Sequence, residues 1–141
     1  MLEEDVILAK ISIIKNCLAM IERATNRDEK KLEDQILQDV FVLNLQRAIQ
    51  ACIDVANALI AKRGLELPTS YKQAFFIIHK AGIIDNKIAQ QMMKMVGFRN
   101  IAIHDYQALD MEILKSILRN NLRDFEDYCR AVYAHLRSKQ S

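Results

Sequence analysis

Residues 40–62 read VFVLNLQRAIQACIDVANALIAK and carry the clearest periodic pattern in the chain. Apolar side chains recur at intervals of three and four residues, which is typical of the buried side of an amphipathic helix and not of a strand. These side chains are Val40, Leu45, Ile49, Cys52, Ile53, Ala56 and Ile60. The pattern predicts a long second helix from about Glu29 to Lys62, and Gly64 and Pro68 provide its end.

The same periodicity precedes this helix. A first helix is indicated by an apolar stripe of Val6, Ile7, Ile11, Ile14, Leu18 and Ile21. The polar run of residues 25–28 then favours a turn, because polar side chains compete for backbone hydrogen bonds. Only three glycines and one proline occur in 141 residues, so helix breakers are rare throughout. The sequence therefore predicts an all-α protein.

The third, fourth and fifth helices are indicated by capping residues. Ser70 followed by Gln73 resembles a capping box, which opens a short helix that stops near Gly82. Asp85 and Asp110 are suited to cap the fourth and fifth helices. Long helices with brief connections pack as antiparallel neighbours. We expect one domain over residues 1–141, folded as an up-and-down four-helix-type bundle with an additional short helix.

Composition restricts the class of protein. Twenty Lys and Arg oppose eighteen Asp and Glu, and this net charge of +2 excludes a nonspecific nucleic-acid coat protein. Cys17, Cys52 and Cys129 lie in apolar stretches without metal-ligand spacing, which favours free thiols in a reducing compartment. The first residues are acidic, whereas a signal peptide begins with basic residues. No uncharged apolar run reaches the length of about 20 residues that a membrane-spanning helix needs. We expect a cytoplasmic protein that binds no membrane and no metal.

The segment Phe98-Arg99-Asn100-Ile101-Ala102-Ile103-His104-Asp105-Tyr106 concentrates the chemistry of the chain. If the fourth helix continues to its end, Arg99 and Tyr106 fall on a core-facing stripe with Met92 and Met95. A charge in that row needs a carboxylate, a carbonyl cluster or an incoming phosphate. The alternative is that the guanidinium reaches water from the edge of the stripe.

A second row of the same helix holds Gly97, Asn100 and His104. The glycine lowers helix propensity and is best explained if another backbone approaches closely. Asn100 can orient the imidazole four residues later, whereas Arg99 and His104 diverge by roughly 140° on an ideal helix. Two geometries bring Arg99 and His104 together: the helix breaks before His104, or a twofold dimer joins copies in one groove.

Polar residues of the second helix form a stripe within an apolar segment, namely Asn44, Arg47, Gln50, Asp54 and Asn57. A solvated face is the ordinary explanation of such a stripe. The functional alternative is that Asn44 and Arg47 border a groove near Arg99. Short amides and a single ion pair distinguish the stripe from a usual lysine and glutamate surface.

The spacing Arg99, His104 and Tyr106 resembles the R-x-x-x-x-H-x-Y signature of the HepT toxins within the HEPN superfamily. The likeness extends to residues 43–47, 51–54 and 96–100 and covers most of the chain. The resemblance implies an α-helical homodimer that cleaves mRNA or tRNA as a metal-independent endoribonuclease. Arg99 and His104 match its catalytic pair, and Asn100, Asn44 and Arg47 are expected to support them.

The resemblance also implies a partner. HepT toxins belong to type VII toxin–antitoxin systems, in which an MntA-like minimal nucleotidyltransferase antitoxin transfers AMP from ATP to the motif tyrosine, here Tyr106. An anionic adduct near Arg99 is expected to repel RNA. Catalysis itself is expected to need no cofactor. The competing hypothesis is a noncatalytic helical subunit that binds substrate for a nucleotidyltransferase complex, in which Arg99 and His104 only bind nucleotide or support the interface.

Overall fold

The computed structural model describes residues 2–138, and within that range it contains helices and turns but no strand. Six α-helices follow in chain order: α1 (Leu2–Thr25), α2 (Gln35–Arg63), α3 (Tyr71–Lys80), α4 (Asn86–His104), α5 (Met111–Ser116) and α6 (Leu122–Ser138). Because α5 and α6 continue one another, four long rods and the short α3 form the domain. The expected all-α bundle with an additional short helix is confirmed.

Helices α1 and α2 run antiparallel. Lys10 Nζ lies 3.0 Å from Asp54 Oδ2, and Lys62 Nζ lies 4.0 Å from Glu4 Oε2, so the start of α1 meets the end of α2. The two helices bury an apolar core, which includes the fully buried Ile7 and Ile14 of α1. The burial of such side chains is the main favourable term in folding.

Helix α2 begins later than the sequence predicted. Residues Glu29–Glu33 form a separate 3₁₀ turn, and Asp34 adopts an extended backbone with ψ of 123°. The Asp34 carboxylate accepts hydrogen bonds from the backbone N–H groups of Ile36 and Leu37. An aspartate that caps a helix competes with continued helix before it, and this preference breaks the expected rod at residue 34.

The other predicted caps are present. Ser70 Oγ accepts from Gln73 N at 3.0 Å, Asp85 Oδ1 accepts from Ile88 N at 2.8 Å, and Asp110 Oδ1 accepts from Glu112 N at 2.8 Å. Gly64 ends α2 with φ of 64°, a left-handed conformation that glycine adopts without steric penalty. Local sequence signals thus set these four boundaries.

The predicted fifth helix contains an irregularity. A π-helical segment, Ile117–Asn121, lies between α5 and α6 and inserts a wide turn into an otherwise continuous rod. Lys115 Nζ and Arg119 Nη1 pair with Glu33 and Glu29 of the 3₁₀ turn at 2.8 and 3.3 Å. The spacing of apolar residues does not predict tertiary contacts of this kind.

Within residues 2–138, no helix is long and apolar enough to cross a bilayer.

Candidate active site

The guanidinium of Arg99 is held between α2 and α3. Its Nη2 donates to Gln50 Oε1 at 2.6 Å, and its Cζ lies 5.1 Å from the centroid of the Tyr71 ring. Nη1 lies 3.5 Å from Asn100 Oδ1, at the long limit of a hydrogen bond. Arg99 Nε is buried without a hydrogen-bond partner in the described part of the chain. The side chain is therefore fixed while its donors are only partly satisfied.

Gln50 is itself fixed by a chain of polar contacts. Its Nε2 donates to Asp54 Oδ1 at 2.9 Å, and Asp54 pairs through Oδ2 with Lys10 of α1. Because the carboxylate takes the NH₂ side of the amide, the carbonyl oxygen of Gln50 must face Arg99. The contacts thus run from Lys10 through Asp54 and Gln50 to Arg99. The predicted need of Arg99 for a polar acceptor is met by an amide oxygen.

A cleft of about 840 Å³ opens where the last turns of α4 pass the end of α2 and the start of α3. Asn100 and His104 line it from α4, Asn57 lines it from α2, and Tyr71 and Lys72 line it from α3. This volume is typical of a small-molecule or nucleotide site. The predicted row of Asn100 and His104 therefore faces a cavity.

Arg99 and His104 belong to one uninterrupted helix. Helix α4 includes His104 and ends there, because Asp105 leaves the helical conformation with φ of −152° while its N–H still bonds to Ile101 O. The possibility that the helix breaks before His104 is wrong. Arg99 contacts Gln50 and Tyr71, whereas His104 lines the cleft, and Tyr71 is shared by both places.

The neighbour of Gly97 is a side chain and not a second backbone. A Cβ added to Gly97 would meet Lys72 Nζ at 3.8 Å, which is ordinary van der Waals contact. Within residues 2–138 no other backbone approaches Gly97 closely, and the ammonium of Lys72 lies near this point of α4. The approach of a helix from a second copy stays a prediction. The missing side chain leaves room for a cation at the edge of the cleft.

Tyr106 leaves the Arg99 stripe. It lies in a 3₁₀ turn, Tyr106–Ala108, beyond the end of α4, and its hydroxyl donates to Asp39 Oδ1 near the start of α2. Partial burial and the Asp39 carboxylate raise the pKa of Tyr106 to about 12. The same hydrogen bond, with a second from Gln35, lowers the pKa of Asp39. The prediction that Tyr106 continues the α4 stripe is wrong, because the helix stops two residues earlier.

Polar residues of α2 contact different neighbours. At 100° per residue, Asp39, Gln50 and Asn57 lie within about 20° of one another, and they meet Tyr106, Arg99 and the cleft respectively. Asp54 turns toward Lys10 of α1. The residue that contacts Arg99 is thus Gln50. The sequence pattern indicated only a solvated face for this residue. Asp39, Gln50 and Asn57 are spaced by 11 and 7 residues, which places them on one line of the helix. This spacing is the sequence feature that could have indicated their shared role.

The two α2 residues expected to support Arg99 have other surroundings. Asn44 is buried, and its Nδ2 donates to Val40 O at 2.9 Å within the same helix. Arg47 is exposed and close enough to α1 to oppose, in part, the burial that raises the pKa of Cys17. A supporting role for Asn44 and Arg47 stays a prediction.

The cysteines and His79 lie apart from the residues that line the cleft. Cys17, Cys52 and Cys129 are free and buried, and burial raises the pKa of Cys129 to about 11. His79 Nδ1 lies 3.1 Å from Ile84 O. Across residues 2–138, no group of three His, Cys, Asp or Glu side chains is placed to hold a metal ion.

Comparison with known proteins shows the family and supports the fold. The family model for Ribonuclease HepT-like proteins matches residues 14–132. The mRNA nuclease HepT of Shewanella oneidensis is 36% identical over 130 residues, which cover 92% of this chain and 98% of that protein. A crystal structure of a toxin–antitoxin with AMP-PNP aligns with a TM-score of 0.88 at 36% identity, covering 92% of this chain and 98% of that one.

A second solved structure contains a tri-AMPylated HEPN toxin of Shewanella oneidensis in complex with MNT antitoxin. It aligns with a TM-score of 0.87 at 37% identity and again covers 92% of this chain and 98% of that one. The matched segment runs from the middle of α1 into α6 and includes Arg99, His104 and Tyr106. This chain belongs to the ribonuclease HepT-like family, as its motif predicted.

Proposed function

We propose that this chain is the ribonuclease toxin of a toxin–antitoxin pair and acts on mRNA in the cytoplasm. The observation that carries the proposal is the Arg99 guanidinium, which is fixed by Gln50 and Tyr71 beside a cleft lined by His104. A guanidinium with unused donors binds phosphate oxygens well. The imidazole of His104 can serve as a general base. Membership of the family and the name of the Shewanella relative support this assignment.

The reaction uses the RNA itself as nucleophile. His104 takes the proton from a ribose 2′-hydroxyl, the 2′-oxygen attacks the adjacent phosphorus, and the bond from phosphorus to the 5′-oxygen breaks. A second group protonates the departing 5′-oxygen. Arg99 stabilises the negative charge that accumulates on the phosphorane oxygens. No metal ion is required in this scheme, and DNA is not cleaved because it lacks the 2′-hydroxyl.

A homodimer completes the site. Arg99 and His104 contact different surroundings on one helix, so a second copy is the remaining way to bring both groups to one phosphate. Ile101 and Ile103 beside this segment are 47% and 46% exposed, and Leu43 of α2 is 55% exposed. Exposed apolar side chains next to catalytic ones favour burial against another chain.

A nucleotidyltransferase antitoxin regulates this site by transferring AMP from ATP to Tyr106. Tyr106 lies at the surface, where the residue is 36% exposed. Tyr106 contacts Asp39, and Arg99 contacts Gln50. Asp39 and Gln50 are eleven residues apart on α2, or roughly 16 Å along the helix axis, so Tyr106 and Arg99 are separated by a similar distance. The Debye length at physiological ionic strength is about 8 Å. The anionic adduct therefore has to extend toward an Arg99, of its own or the partner protomer, to exclude RNA phosphates.

Cleavage of single-stranded RNA in EDTA tests the catalytic assignment. We expect purified protein to cleave, and Arg99→Ala and His104→Ala each to lose at least about a hundredfold in rate. His79→Ala and Arg130→Ala are matched controls, because His79 contacts a backbone carbonyl and Arg130 pairs with Asp127 at the surface. Circular dichroism confirms that all variants fold. Equal cleavage by wild type and both site variants would remove Arg99 and His104 from catalysis, whereas no cleavage by the wild type would favour a noncatalytic binding subunit.

Mixing the two inactive variants tests the shared site. If each site combines Arg99 of one protomer with His104 of the other, a mixed dimer retains one intact site. Random exchange of subunits then restores about a quarter of the wild-type activity. No recovery after proven subunit exchange would place both residues of a site in one protomer.

Intact-mass analysis tests the modification. After incubation with the nucleotidyltransferase and ATP, the wild-type chain should gain AMP, and Tyr106→Phe should keep its mass. Tyr133→Phe removes another exposed phenol on α6 and should be modified normally. A mass gain in Tyr106→Phe would assign the acceptor to a different residue.

A further inference from the structure

The cleft beside His104 has an electrostatic character that the whole chain does not share. The protein carries eighteen Asp and Glu residues, yet none of the described residues that line this cleft is acidic. Lys72 is the one permanent cation among them, and Asn57, Ser70 and Asn100 add hydrogen-bonding groups. A cavity with a cation, polar side chains and no carboxylate is complementary to an anion.

Lys72 is placed to use its charge on a ligand. Its Nζ lies over Gly97 of α4, and within residues 2–138 no ion pair or hydrogen bond engages this ammonium. Other lysines of the protein, such as Lys10, Lys62 and Lys115, pair with carboxylates. An unpaired ammonium at the wall of a cavity gains a contact when a phosphate arrives and loses none.

Tyr71 supplies a flat surface in the same cleft. The Arg99 guanidinium lies against its ring, and Tyr71 also lines the cavity. Aromatic rings in single-stranded nucleic-acid sites stack on bases, and a cation on the ring adds to this attraction. The tyrosine thus connects the cleft to the arginine at which phosphate chemistry is proposed.

We propose that this cleft is a nucleotide subsite for the RNA strand next to the scissile bond: Lys72 binds the neighbouring phosphate and Tyr71 stacks on a base. The proposal rests on the ribonuclease function proposed above and adds to it where the substrate strand lies. Lys72 acts in substrate binding alone, so its loss raises KM more than it lowers kcat. Phosphate binding by a lysine also makes the affinity depend on salt.

Binding of a short fluorescein-labelled single-stranded DNA tests the subsite without interference from cleavage. Fluorescence anisotropy gives Kd at several salt concentrations. We expect Lys72→Met to raise Kd about tenfold and to lower the slope of log Kd against log salt by about 0.7. Tyr71→Leu should raise Kd about tenfold as well. The conservative variants Lys72→Arg and Tyr71→Phe should restore most of the affinity.

Lys80→Met is the matched control for lost charge. Lys80 lies on the same helix, 5.6 Å from the ring of Phe76, and does not line the cleft. Tyr71→Leu is also measured in an Arg99→Ala background, so that a displaced arginine cannot explain its effect. We expect Lys80→Met to bind as wild type does, and Tyr71→Leu to weaken binding in both backgrounds.

The two proposals fail in different ways. If RNA is cleaved and His104→Ala is inactive, but Lys72→Met and Tyr71→Leu keep the Kd and KM of wild type, the subsite is wrong and the ribonuclease stands. If RNA is never cleaved while DNA binding depends on Lys72 and Tyr71, the cleft binds a nucleic-acid strand, but the catalytic proposal and the position of the cleft next to a scissile bond are wrong. Failure of the wild-type protein to bind the oligonucleotide would also overturn the subsite.

Discussion

Two sides of α2 serve the molecule in different ways. The side toward α1 covers an apolar core, and its polar residues pair at the margins, as Asp54 does with Lys10. The side toward α4 presents Asp39 and Gln50 to Tyr106 and Arg99. The first side buries apolar side chains, which take part in no reaction. The second side holds reactive groups in place.

The comparison shows how one helix can both stabilise the fold and position reactive side chains. Apolar burial is non-directional, so many side chains could fill the interface with α1 equally well. The contacts toward α4 are directional, and each depends on one oxygen facing one donor. Gln50 joins the two sides, because its amide contacts both Asp54 and Arg99. Substitutions on the two sides should therefore affect different measurable properties.

The largest change is expected on the α1 side. Ile14→Ala removes a fully buried side chain, and the free energy of unfolding should fall by about 2–5 kcal/mol. Urea denaturation measures it. Leu8→Ala, on the exposed side of α1, is the control and should change the free energy of unfolding by less than about 1 kcal/mol. Equal losses in the two variants would mean that this interface is not a packed core.

The next largest effect is expected for Gln50→Leu. The substitution removes the acceptor that fixes the Arg99 guanidinium, so RNA cleavage should fall by about 10- to 100-fold while the protein stays folded. Single-turnover rates measure this loss. Gln90→Leu changes an exposed glutamine of α4 and should cleave normally. A Gln50→Leu variant with normal cleavage would show that this contact does not position Arg99.

A smaller effect concerns Tyr106. Asp39→Asn removes the carboxylate that disfavours tyrosinate, so the pKa of Tyr106 should fall from about 12 toward 10. Tyrosinate absorbance, taken as the difference from a Tyr106→Phe variant, follows the titration. Burial is the largest single cause of the raised pKa and is unchanged by this substitution, so the pKa should return only in part. An unchanged pKa would mean that the carboxylate does not reach this phenol in solution.

The same shift predicts how stability depends on pH. A phenol whose pKa is raised on folding binds its proton more tightly in the folded state, so its stabilising contribution is complete below pH 10. The contribution is lost between about pH 10 and 12, as the folded protein also ionises. Wild type should therefore lose more stability than Tyr106→Phe across that window, as measured by urea denaturation at each pH.

The smallest effect is expected at the far end of the polar chain. Lys10→Met breaks the pair with Asp54, whose side chains are 33% and 31% exposed, and should reduce the free energy of unfolding by about 0–1 kcal/mol. Cleavage should fall less than in Gln50→Leu, because Asp54 still orients the amide. If Lys10→Met reduced cleavage as much as Gln50→Leu does, the ion pair itself would be needed to hold Arg99.

Sequence alone determined much of this protein. The three- and four-residue periodicity predicted the all-α bundle, and Ser70, Asp85 and Asp110 marked helix starts because capping depends on neighbouring residues only. The motif of Arg99, His104 and Tyr106 predicted the family. Each of these signals depends on residues that are close together in the sequence, so it can be recognised without the tertiary structure.

Tertiary structure decided how the reactive groups are held. Gln50 meets Arg99 across 49 residues and Asp39 meets Tyr106 across 67, so both contacts depend on the alignment of α2 with α4. Packing of entire apolar faces sets that alignment, and no single residue encodes it. Lys72 over Gly97 follows likewise from how α3 crosses α4. The chain thus specifies its helices locally, whereas the partner of each polar side chain is settled only when the helices pack.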